Sequence, residues 1–215
     1  MSGVDTSRVD ASTVDTSTVE LSTTRDLLRR SVGDAVAVCE GLLDDQVTAA
    51  VEVATEEIIR SLQTGGKVLM CGNGGSAADA QHLAAELIGR FCMERRSLPA
   101  VALADNISAL TAIANDDAYD EVFARAVRGL GGPDDVLIGL STSGSSANVV
   151  AALIAADEMG LSTIALVGRL DCPMAEIADH VICVPGPNTA RIQEGQMLVG
   201  HTIFESVERA LCAES

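Results

Sequence analysis

The stretch that decides the fold reads Val68-Leu-Met-Cys-Gly-Asn-Gly-Gly-Ser76-Ala-Ala-Asp-Ala-Gln-His82-Leu-Ala-Ala-Glu86-Leu-Ile-Gly-Arg90. It begins as a short apolar run at 68–70, which is typical of a buried strand, and breaks at glycines before an Ala- and Leu-rich helix. A strand, a glycine turn and a helix N-terminus together form an anion site, because free backbone N–H groups and the helix dipole favour a phosphate. Ser76 either caps this helix or donates its hydroxyl to a ligand.

The same helix carries His82 and Glu86, which are four residues apart and therefore lie on one face. Such a pair can bind a metal or transfer protons within a turn or two of a bound phosphate. The stretch alone leaves two plainer alternatives open. A glycine-rich turn is often only a turn, and a His–Glu pair at this spacing is often only a surface ion pair.

Composition limits the classes of function. The chain has 215 residues, enough for one domain with a full core, and its 14 basic and 31 acidic residues give a net charge of −17. This charge argues against nucleic acid or an anionic membrane as the partner. Because there is no N-terminal leader and no apolar run long enough to cross a bilayer, we expect a cytoplasmic protein. The six cysteines form no C-x-x-C pair, which predicts reduced, buried thiols.

Residues 1–23 form a degenerate pentapeptide repeat. Val4, Val9, Val14 and Val19 each precede an acidic residue, and Ser and Thr fill most other positions. The stretch has too few large apolar side chains to cover a core, so it predicts a disordered tail. Residues 24–215 are then the single folded domain.

Helical and strand patterns alternate along the rest of the chain. Two helices, 24–43 and 45–63, precede the strand at 68–70, and further strands are predicted at 100–104, 136–140, 161–167 and 181–184. Helices are predicted at 107–114, 119–130, 147–159, 173–179 and 189–213, with a turn at 115–117. Because most of the strands are uniformly apolar, the pattern predicts a parallel sheet covered by helices on both faces.

A second polar loop, Ser141-Thr-Ser-Gly-Ser-Ser146, follows the strand at 136–140 and opens the next helix. We call residues 73–76 the glycine loop and residues 141–146 the serine loop. A serine-rich loop alone is usually a solvated turn. Ligands of parallel sheets bind beyond the carboxyl ends of the strands, so two such loops at the same edge predict a phosphate cradle.

The two motifs, Cys-Gly-Asn-Gly-Gly-Ser-Ala-Ala-Asp-Ala-Gln-His and Ser-Thr-Ser-Gly-Ser-Ser-Ala-Asn-Val, resemble those of the sugar isomerase (SIS) family. The resemblance runs from about Thr24 to the last helix. It implies a three-layer flavodoxin-like fold, with a five-stranded parallel sheet and helices on both faces, and a homotetramer with active sites at subunit interfaces. Within the family, the motifs are most similar to those of an aldose–ketose isomerase acting on sedoheptulose 7-phosphate, a small sugar phosphate.

The resemblance also implies one zinc ion per active site, held by His82, Glu86, Gln193 and His201. The substrate-binding positions that it implies are Asn73, Gly74, Gly75, Ser76, Glu86, Arg90, Asn106, Asn115, Asp116, Ser141, Thr142, Ser143, Ser146 and Gln193. Two positions depart from the family pattern. Asn106 and Ala190 stand where members often have Asp, and both bear on contacts with the substrate.

The implied reaction moves a carbonyl group between C1 and C2 of the sugar. A base must remove a carbon-bound proton, and the enediolate that results must be stabilised. We assign the acid–base work to Glu86 and His201, and the resemblance places zinc on the substrate oxygens. Nitrogen and oxygen ligands without a thiolate suit zinc, though not uniquely.

Gln193 presents a geometric difficulty. It is eight residues from His201, about 12 Å along a helix and roughly 80° around it. Both side chains reach one ion only if they lean together or if Gln193 lies in a loosened first turn. Spacing alone would favour Glu205, four residues after His201, and only the resemblance favours Gln193.

Two other functions remain open at this point. One is a non-catalytic SIS module that binds a sugar phosphate or a replication-initiation protein, and the other is an isomerase of a different sugar phosphate. The complete set of four ligand positions favours an enzyme over a binding module. The departures at Asn106 and Ala190 leave the choice of sugar open.

Overall fold

Strands and helices alternate along residues 23–212, the part of the chain that the computed structural model describes. The elements are α1 (Thr24–Gly41), α2 (Asp45–Thr64), β1 (Val68–Gly72), α3 (Gly75–Ile88), β2 (Ala100–Ala102), α4 (Ile107–Asp116), a 3₁₀ turn (Tyr119–Glu121), α5 (Val122–Leu130), β3 (Val136–Ser141), α6 (Ala147–Glu158), β4 (Ser162–Val167), α7 (Pro173–Ile177), β5 (His180–Cys183) and α8 (Thr189–Cys212). The predicted tail at 1–23 lies outside the described residues, except for Thr23, which caps α1. Among the helices described, none is both long and apolar enough to cross a membrane.

The five strands form one sheet in the order β2-β1-β3-β4-β5, and every neighbouring pair is parallel. This order confirms the predicted flavodoxin-like sheet. The chain leaves β1 for β2 on one side, and β3 then pairs with β1 on the other. The ends of β1 and β3 are therefore the point at which the strand order reverses, where open α/β sheets bind ligands.

The sheet divides the core into two layers. Along β1, Val68 and Met70 pack with α1, α2, α3 and α8, whereas Leu69 and Cys71 pack with α5, α6 and α7. All four side chains are fully buried. A strand covered on both faces needs apolar residues at every position, which is why the sequence shows continuous apolar runs without alternation.

The predicted element boundaries agree with the structure to within about two residues, and at one of them a predicted turn is helical. The turn expected at 115–117 is the end of α4, which continues through Asn115 and Asp116. The backbone N–H of Asp117 donates to the carbonyl of Ile113 at 2.9 Å, so the helical pattern continues through this polar run. The Asn115 amide donates to the Asp116 carboxylate at 2.8 Å. These two polar side chains, from which the turn was predicted, therefore bond to each other and leave the helical backbone intact.

The prediction of buried thiols is only partly correct. All six cysteines are free, and Cys71, Cys172 and Cys212 are buried. Cys183 is half-buried, whereas Cys39 and Cys92 are exposed. Cys39 is exposed because α1 buries only Val38, and Cys92 is exposed because it lies in the loop after α3.

The opposite edge of the sheet, at the amino ends of β1 and β3, holds a buried carboxylate. Asp135, which is 4% exposed, accepts hydrogen bonds from the backbone and ammonium of Lys67, at 2.8 and 2.6 Å, and from the Gly132 backbone at 2.8 Å. Lys67 directly precedes β1 and Asp135 directly precedes β3. The pair therefore joins the starts of the two strands whose other ends carry the glycine and serine loops.

Glu57 on α2 should make stability depend on pH in acid. Hydrogen bonds from Arg60, at 2.5 and 3.0 Å, outweigh burial and lower the pKa of Glu57 from 4.5 to about 2. The lowered pKa means that this carboxylate stabilises the folded state above the ordinary value, and the contribution is lost as the pH falls from about 4.5 to about 2. Because the Arg60 side chain is 53% exposed, the pair contributes at most about 1 kcal/mol.

We therefore expect Glu57→Gln to be the less stable protein at neutral pH, with the difference from wild type shrinking as the solution is acidified. Urea unfolding at a series of pH values measures that difference in the free energy of unfolding. A difference that stays constant down to pH 2, the folded-state pKa, would show that Glu57 does not titrate in this way.

Candidate active site

The glycine loop joins β1 to α3. Gly74 is the N-cap of α3, and the helix begins at Gly75, so Ser76 is its second residue and not its cap. The capping alternative for Ser76 is therefore wrong. The Ser76 hydroxyl is buried and lies 3.5 Å from the amide nitrogen of Gln193. The α3 N-terminus has no side-chain cap, and the N–H groups of Ser76 and Ala77 donate to the carbonyls of Asn73 and Gly74 at 3.0 and 3.1 Å. The positive end of the helix dipole is directed at the carboxyl edge of the sheet.

The serine loop lies beside it, because β3 is the neighbour of β1. The hydroxyl of Ser141 is central to the loop and lies 3.0 Å from that of Ser146 and 3.3 Å from that of Ser143. It also accepts a hydrogen bond from the backbone of Gly144 at 3.2 Å. Thr142 is half-buried in the same loop. The loop therefore gathers hydroxyl groups, each able to donate to a phosphate oxygen, at the start of α6.

A pair of amides connects the two loops. Asn73 donates to the side-chain oxygen of Asn148 at 2.8 Å, and Asn148 donates in return to that of Asn73 at 2.9 Å. The hydroxyl of Tyr119 donates to the same oxygen of Asn73 at 2.9 Å. Sequence reasoning missed Asn148 and Tyr119. A signal existed for Asn148, since a polar residue on the inner face of an apolar helix needs a hydrogen-bond partner.

The remaining predicted substrate contacts lie farther out. The side-chain oxygen of Asn106 accepts from the backbone of Ala109 at 3.0 Å and so caps α4, at the carboxyl end of β2. Asn115 and Asp116 are exposed at the other end of α4. Arg90 follows α3, about 20 Å along the helix axis from Ser76, and pairs with Glu94. Arg90 is therefore not close to the loops of its own chain.

Three predicted metal ligands converge. His82 and Glu86 on α3 and His201 on α8 place one ligand atom each within 4.8 Å of one another, and we call these residues the triad. The Nε2 atom of His82 lies 3.1 Å from Nε2 of His201 and 3.2 Å from a carboxylate oxygen of Glu86. The side chain of Glu86 is 19% exposed and that of His82 is 52% exposed, so the triad is accessible from solvent.

The packing of α3 against α8 explains this convergence. A Cβ atom at Gly200 would lie 2.7 Å from a methyl group of Leu83, so a larger residue at 200 would require the buried Leu83 side chain to move. His201, the next residue, meets His82. The helices run in the same direction, because Gln193 near the start of α8 contacts Ser76 near the start of α3.

The triad fits a tetrahedral zinc site. With zinc–ligand distances of 2.0–2.2 Å, neighbouring ligand atoms of a tetrahedron are about 3.3 Å apart. The two separations at His82, 3.1 and 3.2 Å, are close to that edge length. Two imidazole nitrogens that face each other also need a shared proton or a cation between them to avoid repulsion. Two nitrogens and a carboxylate oxygen are a donor set that zinc accepts.

Gln193 does not lie in a loosened turn. It is the fifth residue of α8, which is regular from Thr189 onward, and its amide is directed to Ser76 at the glycine loop. Glu205, the residue that spacing alone favours, instead accepts hydrogen bonds from Arg209 at 2.6 and 3.0 Å. In the structure Glu205 therefore pairs with Arg209, and Gln193 lies at the glycine loop.

Two further side chains near the triad were missed. Asp79 lies one turn before His82, and one of its carboxylate oxygens is buried without a hydrogen-bond partner. Burial raises the pKa of the Asp79 carboxyl, and the neighbouring His82 opposes this shift. Phe91 stacks on the imidazole of His201, with ring centroids 5.2 Å apart and planes inclined by 15°. Asp79 is part of the quoted motif, but nothing in the sequence indicates the Phe91 contact.

Comparison with known proteins identifies the class. The SIS domain family model matches residues 33–168. A phosphoheptose isomerase of Roseiflexus sp. (strain RS-1) is 49% identical over 172 residues, which cover 80% of this chain and 87% of that protein. The structure of phosphoheptose isomerase GmhA from Neisseria gonorrhoeae is 41% identical, with a TM-score of 0.81 over 86% of this chain and 99% of that chain. A phosphoheptose isomerase from Francisella tularensis is 31% identical, with a TM-score of 0.83 over 87% and 100% of the two chains.

The chain belongs to the SIS domain family, which confirms the resemblance seen in its two loop motifs. Its relatives at this level of identity, matched over most of their length, are phosphoheptose isomerases, and the protein is an isomerase.

Proposed function

We propose that the protein is an aldose–ketose isomerase that converts sedoheptulose 7-phosphate to D-glycero-D-manno-heptopyranose 7-phosphate. The observation that carries the proposal is the convergence of His82, Glu86 and His201 next to two hydroxyl- and glycine-rich loops. The relatives named phosphoheptose isomerase support the choice of a seven-carbon sugar phosphate.

The phosphate group binds between the glycine loop and the serine loop. Supporting groups are the uncapped N-terminus of α3, the buried hydroxyl of Ser76 and the hydroxyl cluster around Ser141. His82 is six residues after Ser76, about 9 Å along the axis of α3. A sugar of several carbons spans such a distance between its terminal phosphate and its carbonyl end. The geometry therefore suits a substrate with these two groups at opposite ends.

Glu86 and His201 transfer the protons. A carboxylate and an imidazole that face one substrate can each serve one of the two carbons, C1 and C2, as base and acid. Because both side chains are only partly buried, they meet the substrate directly. Phe91 restricts the rotation of His201 by stacking on it, and this contact keeps the imidazole directed at the triad.

His82, Glu86 and His201, with the amide oxygen of Gln193 as the fourth ligand, would hold a zinc ion. When bound, zinc stabilises the negative charge that develops on the enediolate oxygens. The two separations at His82 match that expected between zinc ligands, whereas the amide of Gln193 is directed at Ser76 and would have to turn toward the triad to supply the fourth ligand. Zinc binds the neutral imidazole, so its binding would release a proton from either histidine that is protonated beforehand.

The protein assembles as a homotetramer with active sites at subunit interfaces. A groove of about 680 Å³ lies between α1, α2 and α8. Leu43 lines this groove at 76% exposed, and α1 exposes further large apolar side chains, among them Leu28 and Val36 at 63% and 50%. Exposed apolar surface of this extent marks an interface. Arg90, which lies away from the loops of its own chain, then contributes to the site of a neighbouring subunit. Six free thiols support a cytoplasmic location.

The direct test mixes the purified protein with zinc and sedoheptulose 7-phosphate and follows formation of the aldose. We expect saturable turnover. Saturable binding without turnover would reject the isomerase and support the non-catalytic SIS module. Turnover of another ketose phosphate, but not of this one, would retain the chemistry and reject the substrate, and Asn106 would then be the first contact to examine.

The serine loop offers a separate prediction through Gly144. Gly144 has a φ of +66°, and a Cβ atom there would lie 2.7 Å from the Cβ of the buried Cys172. In Gly144→Ala the loop must therefore move, and loss of its hydrogen bonds to the phosphate should raise KM by about tenfold or more. Steady-state kinetics measures KM and kcat separately, and kcat should change less.

The matched control is Gly160→Ala. Gly160 has a similar φ of +78°, but a Cβ atom there would approach only Pro133, at 3.9 Å. It carries the same backbone strain far from the loops, so its KM should equal that of wild type. An equal KM in Gly144→Ala and Gly160→Ala would show that the serine loop does not hold the phosphate.

A further inference from the structure

A buried carboxylate on α8 accepts hydrogen bonds from the backbone of the loop that follows α3. One oxygen of Glu208 accepts from the N–H of Phe91 at 2.7 Å, and the other accepts from those of Cys92 and Met93 at 2.7 and 3.1 Å. The guanidinium of Arg95 donates a further hydrogen bond at 2.8 Å. Glu208 is fully buried, so these four donors replace the water that the carboxylate has lost.

Arg95 binds the end of α3 with its remaining N–H groups. It donates to the backbone carbonyl of Glu86 at 2.6 Å, and also to those of Leu87, Gly89 and Arg96 at 2.9, 3.2 and 2.9 Å. The last carbonyls of a helix have no partner within the helix, so a guanidinium fork can cap them. The Arg95 side chain is 1% exposed. One buried ion pair therefore links the last turn of α3 to α8.

Glu208 remains an anion in this position. Burial alone would raise the pKa of its carboxyl, but the hydrogen bonds from Phe91 and Cys92 and the charge of Arg95 outweigh burial and lower it. Because Glu208 stays ionised as the pH falls, its hydrogen bonds to Arg95 and to the loop backbone keep their geometry.

Both ends of the pair connect to the triad. Arg95 holds the carbonyl of Glu86 itself. Glu208 is seven residues after His201, which is two turns along the same face of α8. Phe91, whose N–H is bound by Glu208, stacks on the imidazole of His201 at 5.2 Å. The ion pair therefore fixes the backbone of Glu86 and, through Phe91, the ring that stacks on the imidazole of His201.

We propose that Arg95 and Glu208 are positioning residues for the isomerase: they set the separation and orientation of Glu86 and His201. This inference rests on the proposed function, in which those two groups hold zinc and transfer protons. The ion pair touches neither substrate nor metal and acts only through the last turn of α3 and through Phe91. It lies at the opposite end of α3 from the glycine loop, so phosphate binding does not depend on it.

The test uses two conservative variants and a matched control. Arg95→Lys keeps the charge but replaces a planar fork by a single ammonium, which cannot cap several carbonyls and bind Glu208 together. Phe91→Leu keeps an apolar side chain and removes the ring from His201. Arg209→Lys is the control, because Arg209 is the neighbour of Glu208 but forms only an exposed pair with Glu205.

For Arg95→Lys and Phe91→Leu we expect kcat to fall by about 10- to 100-fold and the dissociation constant for zinc, measured calorimetrically, to rise by a similar factor. KM should stay within about threefold, because the phosphate loops are untouched. Arg209→Lys should match wild type in all three quantities. If thermal unfolding shows that Arg95→Lys does not fold, Phe91→Leu alone decides the result.

Variants that unfold more easily but keep the wild-type kcat and zinc affinity would overturn the proposal and leave the ion pair with a structural role only. The zinc measurement needs no substrate, which separates this proposal from the proposed function. A wild type that binds zinc but does not turn over sedoheptulose 7-phosphate rejects that function, whereas weaker zinc binding in the two variants still supports positioning. A wild type that binds no zinc rejects both.

Discussion

Replacing Glu86 by glutamine should lower kcat by about a thousandfold while leaving the fold and the proposed tetramer intact. General acid–base groups contribute about 10²–10⁴ to rate, and the amide can neither accept the substrate proton nor carry the charge of a metal ligand. The change is isosteric, and Glu86 is 19% exposed, so the folded state should accept the new amide. Steady-state kinetics with sedoheptulose 7-phosphate measures the loss, and circular dichroism and size-exclusion chromatography establish that the protein remains folded and assembled.

Glu205→Gln provides the matched control. Glu205 lies one turn after His201 and satisfies the spacing rule for a ligand, but its carboxylate binds Arg209 on the surface of α8. We expect its kcat to equal that of wild type. Wild-type rates in Glu86→Gln would remove Glu86 from the mechanism, and a large loss in Glu205→Gln would show that the wrong carboxylate had been chosen.

Removal of metal should have the second largest effect. After dialysis against a chelator, turnover should fall by more than about a hundredfold, because the charge on the enediolate then lacks its strongest stabilising group. Zinc should restore it, and magnesium should not, because two imidazoles are poor ligands for magnesium. The metal-free protein should also unfold at a lower temperature, since zinc binds only the folded triad.

Histidine variants localise this effect. His82→Gln should weaken zinc binding and lower turnover, because His82 contacts both other members of the triad. His180, the third histidine, begins β5 at the opposite edge of the sheet and serves as the control. His180→Gln should bind zinc as wild type does. Full turnover in protein shown by elemental analysis to contain no metal would contradict the metal-assisted mechanism.

The sheet was predictable because its strands are buried on both faces. Successive residues of an apolar run such as 136–140 face opposite sides of the sheet, so such a run is buried only when helices cover both faces. A helix between consecutive strands also makes the strands parallel. The polar run at 115–117 misled the prediction because its side chains bond to each other within a continuing helix. Cys39 and Cys92 misled it because burial depends on what packs against a helix or loop, which spacing does not reveal.

The candidate site was predictable only where its residues share a motif. His82 and Glu86 lie on one helix, so their pairing follows from spacing alone. His201 and Gln193 needed the family resemblance, because they lie on α8 and nothing in their spacing shows that α8 packs beside α3. Arg95 and Glu208 are 113 residues apart and carry no motif, so only the folded structure shows that they meet.

The pairing of Lys67 with Asp135 has a practical consequence. Lys67 is the only lysine of the chain, and it lies at the edge of the sheet away from the glycine and serine loops. Amine-directed coupling chemistry therefore has one side-chain attachment point. A dye or tether attached through it would sit at the far edge of the sheet from the glycine and serine loops of the same subunit.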